Sequence, residues 1–280
     1  MALPKPVEGT LLQPESPPEG RPLPSMYDLP SENPEDPGLP DEFHYYQPQL
    51  LRETFFPPDY GRDQVFIGTD INLYYDLDHP LWYKRPDWFA VLGQTRLYEQ
   101  RELRLSYVAW QERLSPYVVV ELLSPGTEDE DLGRSLWDVE KPPTKWIVYE
   151  RILKVPYYLV FSRYTRELQA FGRVSGTYRP LVLENGKLWL PEARLGLGIW
   201  EGVYEGVHGH WLRWMDERNE WLPSRSEERD RQKHRADREN ERADREQQRA
   251  DHERQRADHE RQRAERLEAQ LRALGIEPEE

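Results

Sequence analysis

Cysteine is absent from all 280 residues of the chain. Its absence excludes disulfide bonds, thiolate nucleophiles and cysteine-ligated zinc sites, and it suits a reducing compartment such as the cytoplasm. The sequence also lacks an apolar run long enough to cross a bilayer, and its first residues lack the apolar centre of a signal peptide. We therefore expect a cytoplasmic protein with no membrane partner.

An excess of basic residues is absent as well. The formal net charge is −14, which argues against a protein that binds DNA mainly through its overall charge. Hydrophobic residues make up only 37% of the chain and charged residues 32%, so part of the chain is expected to lie outside a core. A nucleic-acid-binding site remains compatible with this composition, because such a site needs only a local basic surface.

Composition divides the chain into three regions. Residues 1–41 are rich in proline, glutamate and aspartate, which predicts a disordered or loosely draped acidic arm; an arm that covers a basic cleft is the alternative. Residues 42–223 contain all ten tryptophans and mix helical with strand-like apolar patterns, which predicts one folded α/β domain. Residues 224–280 form a charged heptad repeat that predicts a long helix.

The C-terminal repeat has a poor hydrophobic seam. Alanine recurs at positions 236, 243, 250, 257 and 264, but glutamate fills the other seam position at 239, 246, 253 and 260. A stable coiled coil has apolar residues at both positions, and only the last turns, with Leu267, Leu271 and Leu274, fit that rule. Three possibilities stay open: an isolated helix stabilised by Arg–Glu pairs, a weak homo-oligomeric coiled coil, and a nucleic-acid-binding arm.

The elements of the central region follow from apolar periodicity. We expect one helix over the aromatic and aliphatic residues before Pro57, and another from Thr144, whose hydroxyl can cap its first turn, to Pro156. Strands are expected at residues 64–68, 71–75, 82–92, 117–123, 157–161, 168–171, 178–183, 187–190 and 195–204. Residues 94–115 follow neither pattern, and two alternatives stay open for them: a strand at the edge of the sheet or an excursion from it.

A single carboxylate lies inside the most apolar strand. Residues 117–123 read Tyr-Val-Val-Val-Glu-Leu-Leu, which is typical of a strand buried on both faces. A buried, unpaired glutamate is costly, so Glu121 should have a metal ion or a cation as its partner. Asp87 precedes a second apolar run, and Lys145 begins a predicted helix. Carboxylates suit Mg²⁺, which polarises phosphates and activates water, so these three residues indicate a phosphodiesterase site.

Each of these residues also has an ordinary structural explanation. Asp87 can be a turn residue after proline, Glu121 one half of a structural ion pair, and Lys145 a lysine on a helix surface. His208 and His210 suggest a metal pair, but two histidines in a loop without a third ligand are more typical of a structural role. The motifs of serine hydrolases, zinc proteases and phosphate-binding loops are absent.

Five motifs occur in a fixed order along the central region. They are Pro86-Asp87, Val-Val-Val-Glu-Leu-Leu-Ser-Pro-Gly-Thr at 118–127, Asp-Leu-Gly at 131–133, Lys145 with Tyr149, and Val-Pro-Tyr-Tyr-Leu-Val at 155–160. Together they resemble a large bacterial family of restriction-endonuclease-like proteins in the PD-(D/E)xK nuclease superfamily. The resemblance covers about residues 42–215, and the tail is similar to tails common in the family. It implies a restriction-endonuclease-like α/β fold with a mixed central sheet flanked by helices.

The resemblance also implies a site and a substrate. Asp87 and Glu121 would bind Mg²⁺ or Mn²⁺, Lys145 would be the catalytic lysine, and DNA would be the substrate. The superfamily places its lysine two positions after the acid, where this chain has Leu123, so the lysine must come from the following helix. Lys141 is the rival to Lys145 for that role.

Two further positions bear on the resemblance. Family members usually have aspartate where this chain has Tyr117. His44 resembles a histidine of the family's first helix and could reach the site, although a surface histidine explains it equally well. The predicted function is a metal-dependent DNA endonuclease, and the alternative is a catalytically inactive nuclease-fold protein that assembles partners through its helical tail.

Overall fold

The structure is a computed structural model that describes residues 23–25, 28, 41–123, 131–134 and 142–273. The chain forms two compact units, Met1–Leu222 and Pro223–Glu280. Most of the predicted acidic arm, the last four residues of the motif at 118–127 and the rival Lys141 lie outside the described residues. Two described residues of the arm contact the folded region after residue 41: Leu23 packs against a small aromatic cluster, and the Pro24 carbonyl accepts a hydrogen bond from the Trp110 indole at 3.1 Å.

The described part of the first unit contains strands and short helical segments. The strands are β1 (Val65–Gly68), β2 (Leu73–Tyr74), β3 (Tyr83–Lys84), β4 (Trp88–Leu92), β5 (Tyr107–Val108), β6 (Val118–Leu122), β7 (Tyr157–Ser162), β8 (Glu167–Val174), β9 (Thr177–Pro180), β10 (Lys187–Leu190), β11 (Leu195–Tyr204) and β12 (Val207–Met215). The helices are α1 (Phe43–Thr54), α2 (Ala109–Glu112) and α3 (Lys145–Ile147), which continues as a π-helical turn, Val148–Ile152.

A six-stranded mixed sheet in the order β1-β4-β6-β7-β8-β9 forms the centre of the unit. Its neighbouring strands are antiparallel except β6 and β7, which are parallel. Every residue of β6 is buried, because neighbouring strands flank it and both faces of the sheet are covered. The restriction-endonuclease-like mixed α/β architecture expected from the sequence is therefore confirmed.

Alternation along β6 assigns its side chains to the two faces of the sheet. Val118, Val120 and Leu122 pack against α1 and the antiparallel sheet β10-β11-β12. Val119 packs on the other face, with the aromatic and aliphatic residues of α3, its π-helical turn and the small sheet β3-β2-β5. Glu121 shares the face of Val119, so its carboxylate points toward α3.

Two local expectations from the sequence differ from the structure. The predicted strand at 82–92 is two strands, because Pro86 has no amide for a ladder hydrogen bond. Its first part, β3, pairs with β2 instead of joining the central sheet. Residues 94–115, whose structure the sequence left open, include β5 and α2.

The sequence suggested a central sheet flanked by helices. In the structure, one face of that sheet is covered by the second sheet, β10-β11-β12, together with helix α1.

The second unit contains one long helix, α4, which spans Arg225–Ala273. The side chain and amide of Ser224 exchange hydrogen bonds with the amide and side chain of Glu227, a capping box that begins the helix. The described residues of α4 include no buried one, and ion pairs four residues apart, such as Arg235 with Glu239, lie along it. Self-association of this helix remains a prediction. Within the described ranges, no helix is both long and apolar enough to cross a membrane.

Candidate active site at the edge of the central sheet

Asp87 and Glu121 face each other at one edge of the central sheet. The antiparallel register of β4 and β6 pairs Trp88 with Val120, so the next pair along the ladder is Asp87 with Glu121. Directly opposed side chains on one face have Cβ atoms about 4.5–5.5 Å apart. The sheet therefore brings together two carboxylates that are 34 residues apart in the sequence.

Backbone amides hold both carboxylates in place. The Asp87 amide donates to Oε2 of Glu121 at 3.3 Å, and the Leu122 amide donates to Oδ2 of Asp87 at 2.6 Å. Asp87 is partly exposed, whereas Glu121 is fully buried. The two acids thus differ in access to solvent although they lie on the same face.

Helix α3 supplies a cation to Glu121, and the π-helical turn that follows it supplies a hydroxyl. Thr144 caps the helix by accepting a hydrogen bond from the Ile147 amide, as predicted. Nζ of Lys145 lies 3.0 Å from Oε2 of Glu121, and the Tyr149 hydroxyl donates to Oε1 at 2.7 Å. Lys145 and Tyr149 reach the same carboxylate because residues four apart lie on one helical face.

A third carboxylate, that of Asp131, completes the environment of Lys145. Its Oδ1 lies 3.0 Å from Nζ of Lys145, and its side chain is almost completely buried. The Tyr158 hydroxyl donates to the Asp131 carbonyl at 2.9 Å. Gly133 has a φ of +67°, and a Cβ there would lie 2.7 Å from Cγ of Trp146. Only glycine therefore allows this segment to approach α3 so closely.

The electrostatics of the site are dominated by burial. Burial raises the pKa of Glu121 well above its usual value, against the opposing charge of Lys145. Burial also raises the pKa of Asp87, again against the charge of Lys145. Burial by itself would lower the pKa of Lys145, but the surrounding carboxylates, Glu121 first among them, raise it well above its usual value. One ammonium group therefore lies among three carboxylates, and its charge does not cancel the effect of burial on the pKa values of Asp87 and Glu121.

His44 reaches the same edge from the first helix. It is 2% exposed, its Nδ1 lies 2.7 Å from Oδ1 of Asp41, and its Nε2 lies 3.0 Å from the Leu122 carbonyl. The surface position considered from the sequence is therefore wrong. The imidazole instead connects Asp41 to the end of β6.

Tyr117, which stands where the family has aspartate, lies away from the two carboxylates. It directly precedes β6, four residues from Glu121, or about 13 Å along an extended chain. Its hydroxyl donates to Oε2 of Glu192 at 2.8 Å, as does that of Tyr157 at 3.0 Å. Tyr117, the residue that differs from the family, therefore contacts Tyr157 and Glu192 at the end of β6 that lies away from Glu121.

His208 and His210 lie in a strand and have an acidic neighbour. His208 and His210 belong to β12, with Nε2 atoms 4.0 and 3.8 Å from the Glu201 carboxylate. Their predicted position in a loop is wrong. Within the ranges that the structure describes, no three histidine or acidic side chains are grouped so that they could hold a metal ion.

The pair of Asp87 and Glu121 nevertheless suits a hard divalent cation. Mg²⁺ prefers carboxylate oxygens and commonly takes only one or two from protein, with water and substrate phosphate as its other ligands. A divalent cation would also offset the shortage of positive charge around the buried Glu121. The residues present therefore fit the metal that the superfamily implies.

Asp131 and Tyr149 belong to the sequence motifs named above, but the sequence predicted no role for either residue. The spacing of Tyr149 from Lys145 was the available signal, because a separation of four places both on one side of a helix. Asp131 offered a weaker signal, as the last residue of an acidic run just after β6.

Comparison with known proteins agrees with this fold. No curated protein matches the chain. Residues 25–203 match the model of the Uma2 family, described as "Putative restriction endonuclease". Because the match spans more than half of the 280 residues, the chain belongs to the Uma2 family, a restriction-endonuclease-like family of the PD-(D/E)xK superfamily.

Proposed function

We propose that the protein is a metal-dependent endonuclease that hydrolyses phosphodiester bonds of DNA. The observation that carries the proposal is the meeting of Asp87, Glu121 and Lys145 at one sheet edge, on three separate elements. Membership of a family of nucleases supports DNA as the substrate class.

The carboxylates of Asp87 and Glu121 would hold Mg²⁺ or Mn²⁺. When bound, such an ion polarises the phosphate and lowers the pKa of the attacking water. The Asp87 and Leu122 amides orient the two carboxylates by the bonds described above. The Tyr149 hydroxyl fixes the far oxygen of Glu121, which leaves the side chain one orientation.

Lys145 acts as a fixed positive charge and not as a base. The surrounding carboxylates keep its ammonium group protonated, since they raise its pKa well above its ordinary value even though burial opposes this. A buried, oriented cation beside the scissile phosphate stabilises the negative charge that develops during hydrolysis. Asp131 holds the other side of this ammonium group and keeps it at the edge.

Cleavage of supercoiled plasmid DNA by the full chain, with and without Mg²⁺, tests the proposal. Asp87→Asn and Glu121→Gln should each lower the rate at least about 100-fold, because a bound cation contributes several kcal/mol to such a transition state. Glu184→Gln removes an exposed carboxylate from the loop before β10 and should cleave at the wild-type rate.

Equal cleavage rates in the wild type and in the three variants would contradict the assignment of Asp87 and Glu121 to the active site. The alternative, a non-catalytic protein that assembles through its tail, predicts no cleavage, no heat of Mg²⁺ binding by calorimetry, and oligomers that disappear when α4 is deleted.

A further inference from the structure

A tight hairpin turn lies at the same sheet edge as the two carboxylates. Strands β6 and β7 are parallel, so they end at one edge, and Glu121 pairs in register with Val160. The chain reverses at residues 163–166, between β7 and β8. The turn begins three residues beyond Val160.

The turn displays two arginines and a tyrosine. Its sequence is Arg-Tyr-Thr-Arg, and it contains no acidic residue. Tyr164 is 57% exposed, and Arg166 is also exposed, with a left-handed φ of 58°. In a chain with a net charge of −14, this turn is a local basic and aromatic surface.

Two aromatic rings hold the Arg163 guanidinium. Its central carbon lies 4.8 Å from the centre of the Tyr164 ring and 5.4 Å from that of Phe43. The same group donates to the Tyr164 hydroxyl at 3.1 Å. Arg163 keeps 36% of its side chain exposed, so the guanidinium is oriented but still open to a ligand.

A chain of polar contacts links the turn to the end of β6. Asp41 accepts from Arg163 through Oδ2 at 3.0 Å and contacts His44 through Oδ1 at 2.7 Å. His44 in turn contacts the Leu122 carbonyl, next to Glu121. The position of the turn relative to the carboxylates is therefore fixed by hydrogen bonds as well as by the sheet.

These features suit a nucleic-acid strand whose bases are unpaired. An arginine binds the backbone phosphate, whereas an exposed aromatic ring binds any base that is free to stack. A paired base in a duplex does not offer its face to such a ring. The overall negative charge disfavours binding that depends on phosphate contacts alone.

We propose that residues 163–166 bind the DNA strand beside the cleavage site, with Arg163 on a phosphate and Tyr164 stacked on an unpaired base. The preferred substrate is accordingly single-stranded DNA or duplex DNA with unpaired bases. This inference rests on the proposed nuclease function, whose site it extends.

Binding of labelled oligonucleotides to the full chain tests the inference, measured by fluorescence anisotropy with Ca²⁺ in place of Mg²⁺. The wild type should bind a single strand more tightly than the same sequence as a duplex. Tyr164→Ala should weaken single-strand binding about tenfold, the loss expected for one stacked base, and should reduce the preference. Tyr164→Phe keeps the ring and should retain wild-type affinity.

Arg163→Gln tests the phosphate contact. It should make the negative slope of log affinity against log salt shallower by about 0.7, the value for one phosphate of a single strand. Arg179→Gln, on β9, and Trp189→Ala, on β10, remove an exposed arginine and an exposed aromatic ring elsewhere and should change neither slope nor preference.

Equal single-strand affinity of the wild type and Tyr164→Ala overturns the inference, as does a wild type that prefers the duplex. Because binding is measured without cleavage, the two proposals fail separately. If the protein binds as expected but never cleaves DNA, only the proposed nuclease function is refuted. If it cleaves DNA and Tyr164→Ala changes neither binding nor cleavage, only the proposed role of residues 163–166 is refuted.

Discussion

Asp87 and Glu121 hold each other across the β4–β6 ladder. The amide of one donates to the carboxylate of the other at 3.3 Å, and the residue after Glu121 returns a bond of 2.6 Å to the Asp87 carboxylate. The two acids are therefore positioned by the sheet itself, and Lys145 is brought to them by a separate helix.

Lys145→Met should destabilise the folded protein by about 3–5 kcal/mol, because it leaves buried carboxylates without their cation. Without the lysine, the folded-state pKa of Glu121, which burial already raises, should rise further above its unfolded value. The folded state then binds more protons than the unfolded state above about pH 4, so the loss should grow as the pH rises. Urea denaturation of the wild type and the variant at several pH values measures this loss of unfolding free energy.

The double variant Lys145→Met/Glu121→Gln provides the control, since glutamine can still accept from Tyr149 without carrying a charge. It should recover part of the lost stability and most of the added pH dependence. If the single and double variants are equally unstable at every pH, the loss comes from packing and not from unpaired charge.

Gly133→Ala should lower stability and cleavage together. The new methyl group would need a positive φ and would overlap the Trp146 ring, which displaces the segment that carries Asp131. Gly93→Ala is the matched control, because Gly93 has a φ of +80° but nothing within 4 Å of the added Cβ. We expect about 1 kcal/mol for the control and clearly more for Gly133→Ala in thermal or urea denaturation. Equal losses would show that only backbone strain matters at Gly133.

Stability should fall in alkaline solution as buried tyrosines resist ionisation. Burial, with the added charge of Glu112, raises the pKa of Tyr107, and burial with the charge of Glu150 raises that of Tyr178. Above about pH 10 the unfolded chain releases these protons while the folded chain keeps them, so unfolding becomes easier by up to about 1.4 kcal/mol per pH unit for each tyrosine.

Denaturation in urea at about pH 8 to about pH 11 measures that slope, and phenolate absorbance reports the ionisation. Tyr178→Phe, which cannot ionise, should be less stable near neutrality through its lost bond to the Val155 carbonyl but should show a shallower decline. A slope unchanged by this substitution would contradict the assignment of the effect to Tyr178.

The C-terminal helix should self-associate only when its seam is made apolar. Glu246→Leu with Glu253→Leu fills the second seam position of two repeats with leucine, beside the alanines of the first. The double variant should form stable oligomers of the full chain in sedimentation equilibrium. Gln248→Leu with Gln255→Leu adds the same two side chains off the seam and should not. Oligomers of equal stability in the wild type and the seam variant would show that glutamate does not limit the association.

Much of the local structure was predictable from short-range patterns. The buried strand around Glu121, the Thr144 cap and the long charged helix each depend on residues close in sequence, whose periodicity and hydrogen-bonding groups act directly on the backbone. The split of the predicted strand at Pro86 was missed although the sequence carried a signal for it, because Lys84 and Arg85 interrupt the apolar pattern just before the proline. The π-helical turn after α3 left no pattern in the sequence that distinguishes it from an ordinary helix.

The residue types at this edge follow from the amino-acid order: an acid after Pro86, an acid inside an apolar strand, and a lysine at the start of a helix. Their meeting, and the presence of Asp131, His44 and the turn at 163–166 beside them, depend on the fold. The register of the sheet and the order of its strands result from packing between segments far apart in the chain, which no local pattern encodes. His44 and Leu122, for example, are 78 residues apart and in hydrogen-bond contact.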